Sequence, residues 1–242
     1  MFSDLFGKGE VLGRQPKGID APGRGEAYPG VPVEIMPNIH RPVPRATPWD
    51  DRRGLMFIGG FRHAPNEDAV CYFVSDILPL IRRELLGVDL SVVGSYMTDA
   101  VTRLASDGVR VVGYVADPTP YFEQARVFVA PLRYGAGMKG KIGHSMSYGL
   151  PVVTTSIGAE GMALVDGENA LLADTAEEFA AAVVRLCTDK DLWERIARAS
   201  SAHIAAHSSE PVVSQLLQQL FPLATSGTRL DAAEAAQAAS WR

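Results

Sequence analysis

The sequence predicts an α/β domain in which helices cover both faces of a mainly parallel sheet. Short apolar runs alternate with amphipathic stretches from residue 55 onward, and the connections between them are short. This alternation is typical of parallel βα units, and the right-handed crossover rule makes a doubly wound, Rossmann-like sheet the expected topology. A closed eight-stranded barrel would need more βα units than the pattern offers. The predicted strands are Leu55–Phe61, Asp89–Gly94, Val109–Val112, Arg126–Ala130, Pro151–Thr155 and Ala170–Ala173.

Helical spacing accounts for the stretches between and after these strands. Pro65 opens the first, in which apolar residues recur at helical intervals, and Gly149 ends the fourth. Thr175 is an expected N-cap, because two glutamates fall in the turn after it. The predicted helices cover residues 65–86, 98–106, 121–124, 139–148, 175–187 and 190–220.

Composition limits the class of partner. The chain has 242 residues, 47% of them hydrophobic, and a formal net charge of -5, which suits a domain with a sizeable core but not a binder of nucleic acid. Cys71 and Cys187 lie far apart without a CxxC motif, so we expect no metal or redox site. No apolar run approaches the roughly 18 residues of a spanning helix, and the first residues lack the order of a signal peptide. A cytoplasmic protein is therefore expected.

Residues 55–222 form the predicted domain, and the flanking segments differ in texture. Residues 1–54 are rich in proline and glycine and are predicted to be linker around one apolar run, Val31–Met36. Pro32 and Pro37 bracket that run, which would make it an edge strand. Residues 223–242 are predicted to be a helical or disordered tail.

Two glycine-rich segments follow predicted strands and suit anion binding. Gly60 and Arg62 follow the first strand, and the loop Gly135–Lys141 lies between the fourth strand and a helix. Amide groups at a helix start, flexible glycines and nearby cationic side chains together bind phosphate well. The loop matches neither GxxxxGK[ST] nor GxGxxG, so it is not one of those two nucleotide-binding motifs.

Two other polar segments are less specific. The hydroxyls and carboxylate of Thr154–Gly161 could bond a sugar, or they could form an ordinary βα turn. Asp117 is predicted to cap a helix rather than to act as a base.

The order of these motifs resembles the C-terminal domain of the group 1 glycosyltransferases, the retaining GT-B enzymes also called family 4. The resemblance rests on FIGGFRHAPNEDA, VVGYVAD and PLRYGAGMKGKIGHSMSYGLPVVTTSIGAEGM, and covers about residues 55–220. Residues 30–38 are similar to the interdomain connection of that family. The resemblance implies a domain that binds a nucleotide diphosphate sugar without a metal or other cofactor.

The resemblance also implies roles for particular residues. Arg62 and Lys141 would stabilise the departing nucleotide diphosphate and are the predicted catalytic groups. The nucleobase would meet backbone groups of the turn after the third strand, and the glycine loop would approach the phosphates and the sugar. The residues predicted to bind the donor are Gly60, Gly113, Tyr114, Val115, Gly135, Gly137, Met138, Lys139, His144 and Ser145.

Two departures from the family pattern support donor binding more strongly than catalysis. The family has a Glu-x7-Glu pair, and its two positions fall on Ala136 and His144 here. A histidine can still bond a ribose hydroxyl. Only about 54 residues precede the match, whereas the family has an N-terminal domain of comparable size, so we expect a partner domain, a partner chain or a second copy at the cleft. The leading hypothesis is the donor-binding half of a retaining glycosyltransferase. The alternatives are a non-catalytic binding or regulatory relative and, more distantly, a sugar-nucleotide epimerase.

Overall fold

A single six-stranded sheet forms the centre of the molecule. The computed structural model describes residues 36–221. All strands are parallel, in the order β3-β2-β1-β4-β5-β6. This is the order of a doubly wound sheet, so the predicted fold class is confirmed. The strands are β1 Leu55–Gly60, β2 Leu90–Ser95, β3 Val109–Gly113, β4 Val127–Ala130, β5 Val152–Thr154 and β6 Leu171–Leu172.

Helices pack against both faces of the sheet. Side chains alternate along a strand, so β1 sends Leu55 and Phe57 to one apolar cluster and Met56 to the other. The first cluster includes residues of α1, α2 and α7, the second includes residues of α4 and α5, and α8 contributes to both. The helices are α1 Ala64–Tyr72, α2 Leu78–Glu84, α3 Asp99–Thr102, α4 Thr119–Gln124, α5 Gly140–Ser147, α6 Ser156–Ala159, α7 Ala176–Thr188, α8 Lys190–His207 and α9 Glu210–Leu220.

Two of the predicted long helices are interrupted. A π-helical segment, Phe73–Ile77, lies between α1 and α2 and precedes Pro79, which cannot donate a backbone hydrogen bond to the preceding turn. The stretch predicted as one helix over residues 190–220 is two helices, α8 and α9, and Pro211 lies in the first turn of α9. Both breaks follow from proline, which the apolar spacing alone does not reveal. At α7 the predicted cap is confirmed, because Thr175 and Glu178 form a capping box.

The segment that precedes β1 packs onto the sheet domain. The amide of His40 donates to Ser208 O at 2.8 Å and that of Val43 donates to Ser147 O at 2.8 Å, which ties the segment to α8 and α5. Trp49 packs against the first apolar cluster, and Arg52 is 1% exposed. The predicted strand Val31–Met36 lies outside the described residues except for Met36, as does the predicted tail 223–242.

The pairing of β2 with β1 requires a glycine near the carboxyl end of β2. Gly94 has a φ of 145°, and a Cβ at this position would overlap the carbonyl of Gly59 on the neighbouring strand. Only glycine fits there. This close approach sets the position of the loops that leave the two strands.

No helix within residues 36–221 is both long enough and apolar enough to cross a membrane.

Candidate functional site

The carboxyl ends of β1 and β4 mark the place where the sheet order reverses. Strands β2 and β3 lie on one side of β1, whereas β4, β5 and β6 lie on the other. In doubly wound sheets, ligands bind in the crevice outside the strand ends at such a switch point. Gly60 ends β1 here, and the glycine loop Gly135–Lys141 leads from β4 into α5.

Lys141 lies in the first turn of α5 and contacts the first turn of α1 and a side chain of β1. Its ammonium group donates a hydrogen bond to Asn66 Oδ1 and lies 5.2 Å from the centroid of the Phe57 ring. Asn66 Nδ2 in turn donates to Gly60 O at 2.8 Å. This chain of contacts links the two glycine segments that the sequence predicts to bind an anion.

Burial lowers the pKa of the Lys141 ammonium group to about 8, and the positive charge of Lys139 contributes to this lowering. The group is therefore about nine-tenths protonated at pH 7. A bound anion would relieve this partly desolvated positive charge, which is the electrostatic condition for a phosphate site.

Asn66 is a site residue that the sequence analysis missed. It is 5% exposed, and it lies between the end of β1 and Lys141. The signal was its position directly after Pro65 at the start of a helix, next to a strand-end glycine pair. Its partner Lys141 is distant in the chain, so the pairing is visible only in the fold.

Arg62 is exposed and stacks on an aromatic ring. Its guanidinium carbon lies 3.7 Å from the centroid of the Tyr96 ring, which follows β2. Tyr96 has a φ of 56°, in the left-handed region that bulky residues rarely adopt. Sequence analysis did not single out Tyr96. The contact keeps Arg62 at the strand-end edge, beside the loop that carries Gly60.

Lys139 is used within the glycine loop. Its ammonium group donates to Gly137 O at 2.6 Å and to Gly135 O at 3.3 Å, and it lies 3.9 Å from Glu160 Oε2. Burial lowers the pKa of Lys139, and the charge of Glu160 opposes that change. Lys139 therefore fixes the shape of the loop, while Met138 stays half-buried.

The turn predicted to meet a nucleobase also lies at the carboxyl ends of the strands. It follows β3, which is separated from β1 by β2. Gly113 ends β3, Tyr114 is 76% exposed and Val115 is half-buried. Asp117 Oδ1 accepts the amide of Thr119 at 3.0 Å. Asp117 lies one residue before the N-cap position of α4, which is Pro118, so it bonds the first amide of the helix without being its N-cap. The exposed Tyr114 ring shows that solvent reaches the carboxyl end of β3.

His144 lies in a cluster of aromatic rings. Its ring centroid is 4.6 Å from that of Phe122, 5.5 Å from that of Tyr148 and 6.5 Å from that of His40. The His40 ring lies directly against the backbone of Gly143, where a Cβ would not fit. Thus the segment before β1 contributes an imidazole to the surroundings of His144.

Several hydroxyl groups predicted near the site are engaged inside the fold. Ser145 is fully buried and donates to Leu150 O at 3.1 Å. Its side chain is therefore separate from Gly60, Arg62, Asn66 and Lys141, which we call the strand-end group. Thr154 donates to Ala130 O at 2.8 Å, and Thr155 donates to Leu132 O at 2.6 Å. Ser156 donates to Asp174 Oδ2 at 2.6 Å. Of the two interpretations of this segment, the hydroxyl groups fit the βα turn.

Acid is expected to destabilise the fold through the buried imidazoles. Burial and then the neighbouring His144 lower the pKa of His40 to about 4, and burial lowers the pKa of His144. The unfolded chain takes up these protons near pH 6.5, so this stability is fully present above pH 6.5 and is lost as the pH falls toward 4. For His40 we expect a loss of about 1–2 kcal/mol after allowance for its partial exposure.

Urea unfolding at pH 7.5 and pH 5 measures this effect. The variant His40→Gln should lose less stability between the two pH values than the unaltered chain. Gln218→Ala, which replaces an exposed side chain of α9 that carries no titratable group, is the control and should behave like the unaltered chain. An equal loss in the His40 variant would contradict the assignment.

A separate polar pocket lies at the opposite end of the strands, near the amino ends of β1, β2 and β3. Its volume is about 250 Å³. Its lining includes Asp51, Arg53, Asp89, Arg110 and Gln124. It shares no residue with the strand-end group.

The fold and the strand-end group define the class of this chain: a Rossmann-like domain of the GT-B type. A sequence model described as glycosyl transferases group 1 matches residues 52–189, and the chain belongs to that family. The family assignment makes it a glycosyltransferase domain. A search of curated proteins found no match.

Solved structures with the same fold include two longer chains and a separate C-terminal domain. A point mutant of TarM of S. aureus, solved with UDP among its ligands, is 17% identical with a TM-score of 0.64, over 79% of this chain and 39% of TarM. HepE of Anabaena, solved with UDP-glucose, is 17% identical with a TM-score of 0.57, over 72% of this chain and 50% of HepE. The C-terminal domain of LpcC from Francisella tularensis is 16% identical with a TM-score of 0.55, over 71% of this chain and 97% of that domain. The chain thus matches half or less of the length of the first two proteins.

Proposed function

We propose that this chain binds a nucleotide diphosphate sugar at the strand-end group and supplies the donor half of a glycosyl transfer with retention. The observation that carries the proposal is the partly desolvated ammonium group of Lys141 at the switch point of the sheet. TarM and HepE, which share the fold, were solved with UDP or UDP-glucose. The acceptor half would come from a second domain, another chain or a second copy.

The expected chemistry needs only groups that the chain itself supplies. When the bond from the sugar to the diphosphate breaks, negative charge grows on the departing phosphate oxygens. Lys141, Arg62 and the first amide groups of α5 can stabilise that charge, because all lie at this edge of the sheet. We propose that this set takes the role that a metal ion has in other phosphate sites.

Arg62→Ala is expected to weaken nucleoside diphosphate binding about tenfold, the usual effect of losing one charge-assisted hydrogen bond. Thermal unfolding with UDP, GDP, ADP, CDP and dTDP gives the measurement. A ligand at 100 times its Kd stabilises the folded state by about 2.7 kcal/mol, which raises the melting temperature of a domain of this size by several degrees.

A matched control separates this effect from a general loss of positive charge. Arg83 is exposed in the last turn of α2, which leads to the amino end of β2. Arg83→Ala should leave the nucleotide-induced shift unchanged. No shift of the unaltered chain with any of the five diphosphates at millimolar concentration would contradict the proposed function.

A separate assay of sugar transfer addresses the non-catalytic alternative. Two positions favour that alternative, because Ala136 carries no carboxylate and His144 packs among aromatic rings. A nucleotide sugar that binds but is neither transferred nor hydrolysed, even with the acceptor half supplied, would support a binding or regulatory role. Transfer of the sugar would exclude it.

A further inference from the structure

The connection after β5 brings a carboxylate to the glycine loop. Glu160 directly follows α6, and its Oε2 atom lies 3.9 Å from Lys139 Nζ. The Lys139 side chain is buried, whereas the Glu160 side chain is 66% exposed. The carboxylate therefore has one cationic neighbour in the loop and keeps most of its surface open at the strand-end edge.

Lys139 determines where this carboxylate lies. Its ammonium group donates to the carbonyl oxygens of Gly135 and Gly137, the residues on either side of Ala136. The Glu160 carboxylate lies 3.9 Å from the same ammonium group, which is ion-pair distance rather than a hydrogen bond. The negative charge of Glu160 is therefore attracted to the group that holds the glycine loop.

Glu160 differs from the polar groups around it. The hydroxyls of Thr154, Thr155 and Ser156 donate to oxygen atoms of the fold. A carboxylate has about four lone-pair sites and accepts hydrogen bonds from two donors at once. Exposed as it is, Glu160 retains the capacity to accept bonds from a ligand.

At the carboxyl ends of the strands, Glu160 and the cations of the strand-end group lie on different sides of the switch point. Lys141 contacts Asn66 at the start of α1, and Arg62 contacts Tyr96 after β2. Glu160 follows β5, on the other side of the switch point. Cations suit phosphate oxygens, whereas a carboxylate repels phosphate and accepts bonds from neutral hydroxyl groups. A ligand with an anionic centre and a neutral polyhydroxyl end fits this arrangement.

We propose that Glu160 binds hydroxyl groups of the donor sugar and makes the site favour neutral sugars with adjacent hydroxyls. Lys139 is its positioning residue. The inference rests on the proposed function, because it needs the diphosphate of the same ligand at Lys141. A carboxylate at this position also disfavours acidic sugars through like-charge repulsion.

Glu160→Gln is expected to raise the Kd of a sugar nucleotide about tenfold, because a charge-assisted hydrogen bond becomes a neutral one. The Kd of the matching diphosphate should change by less than about twofold, because it carries no sugar. Titration calorimetry with UDP-glucose and UDP, and with GDP-mannose and GDP, measures both. Glu168→Gln replaces another exposed glutamate on the same connection and should change neither constant.

A purely structural role for Glu160 predicts a different result. If the carboxylate only neutralises Lys139, its loss should alter the loop and shift both Kd values equally. That result, or no change in either, would overturn the inference while leaving the proposed function in place. Failure of the unaltered chain to bind any of the four probes would overturn the proposed function and this inference with it.

Discussion

Lys141→Met is expected to weaken nucleoside diphosphate binding roughly 30- to 150-fold, a loss of about 2–3 kcal/mol. The ammonium group lies at the start of α5, against Asn66 and the face of Phe57, where water screens it poorly. Its pKa of about 8 also predicts that affinity falls as the pH rises above 8, because the group then loses its charge. Methionine keeps most of the side-chain volume and removes only the charge and the donors.

The free variant should fold normally. Removal of a partly buried charge stabilises the folded state, whereas Asn66 Oδ1 loses its donor, which destabilises it. We expect the two effects on the free energy of unfolding to cancel to within about 1 kcal/mol. Calorimetric titration with UDP and GDP at pH 7 measures the affinity. Lys190→Met is the control, because Lys190 is exposed and pairs with Asp50 away from the strand-end group. Equal binding by the Lys141 variant and the unaltered chain would contradict the assignment.

Arg52→Ala is expected to destabilise the domain by about 3–5 kcal/mol, since it leaves three backbone carbonyls without their donor and opens a cavity. The Arg52 guanidinium donates to Phe122 O at 2.7 Å, Ala125 O at 3.0 Å and Thr47 O at 3.0 Å. It therefore joins the segment before β1 to the end of α4. Burial, followed by the charge of Arg45, lowers its pKa to about 10, so it stays protonated at neutral pH.

The adjacent residue provides the control. Arg53 is exposed and bonds the carbonyls of Asp50 and Arg52. Arg53→Ala should therefore cost less than about 1 kcal/mol. Urea unfolding of the two variants gives the comparison. A cost for Arg52→Ala no larger than that for Arg53→Ala would show that the segment before β1 contributes little to the domain.

The sequence predicted most of the sheet because buried parallel strands have a strong local signature. The first residues of β1 and β3 agree with the predicted starts at Leu55 and Val109. The helix predicted over residues 139–148 is α5, Gly140–Ser147. Apolar spacing persists through a π-helical segment or a short break, so the interruptions before Pro79 and Pro211 were not predicted.

The candidate site was predicted only in part. Glycine loops, Arg62 and Lys141 are visible locally, because their position relative to a strand end indicates their chemistry. The contact of Lys141 with Asn66 joins residues separated by 75 positions. It depends on the pairing of β1 with β4, because these two strands lead to α1 and α5. The stack of Arg62 on Tyr96 depends likewise on the register of β1 and β2. Local patterns carry no information about such pairs.

The location of the bound nucleotide tests the central claim most directly. Amide hydrogen exchange with and without saturating UDP or GDP would locate the protected segments. We expect protection over residues 59–66 and 133–142, at the carboxyl ends of β1 and β4. Protection at the opposite edge instead, around Asp51, Asp89 and Arg110, would contradict the account. So would unchanged exchange throughout the chain.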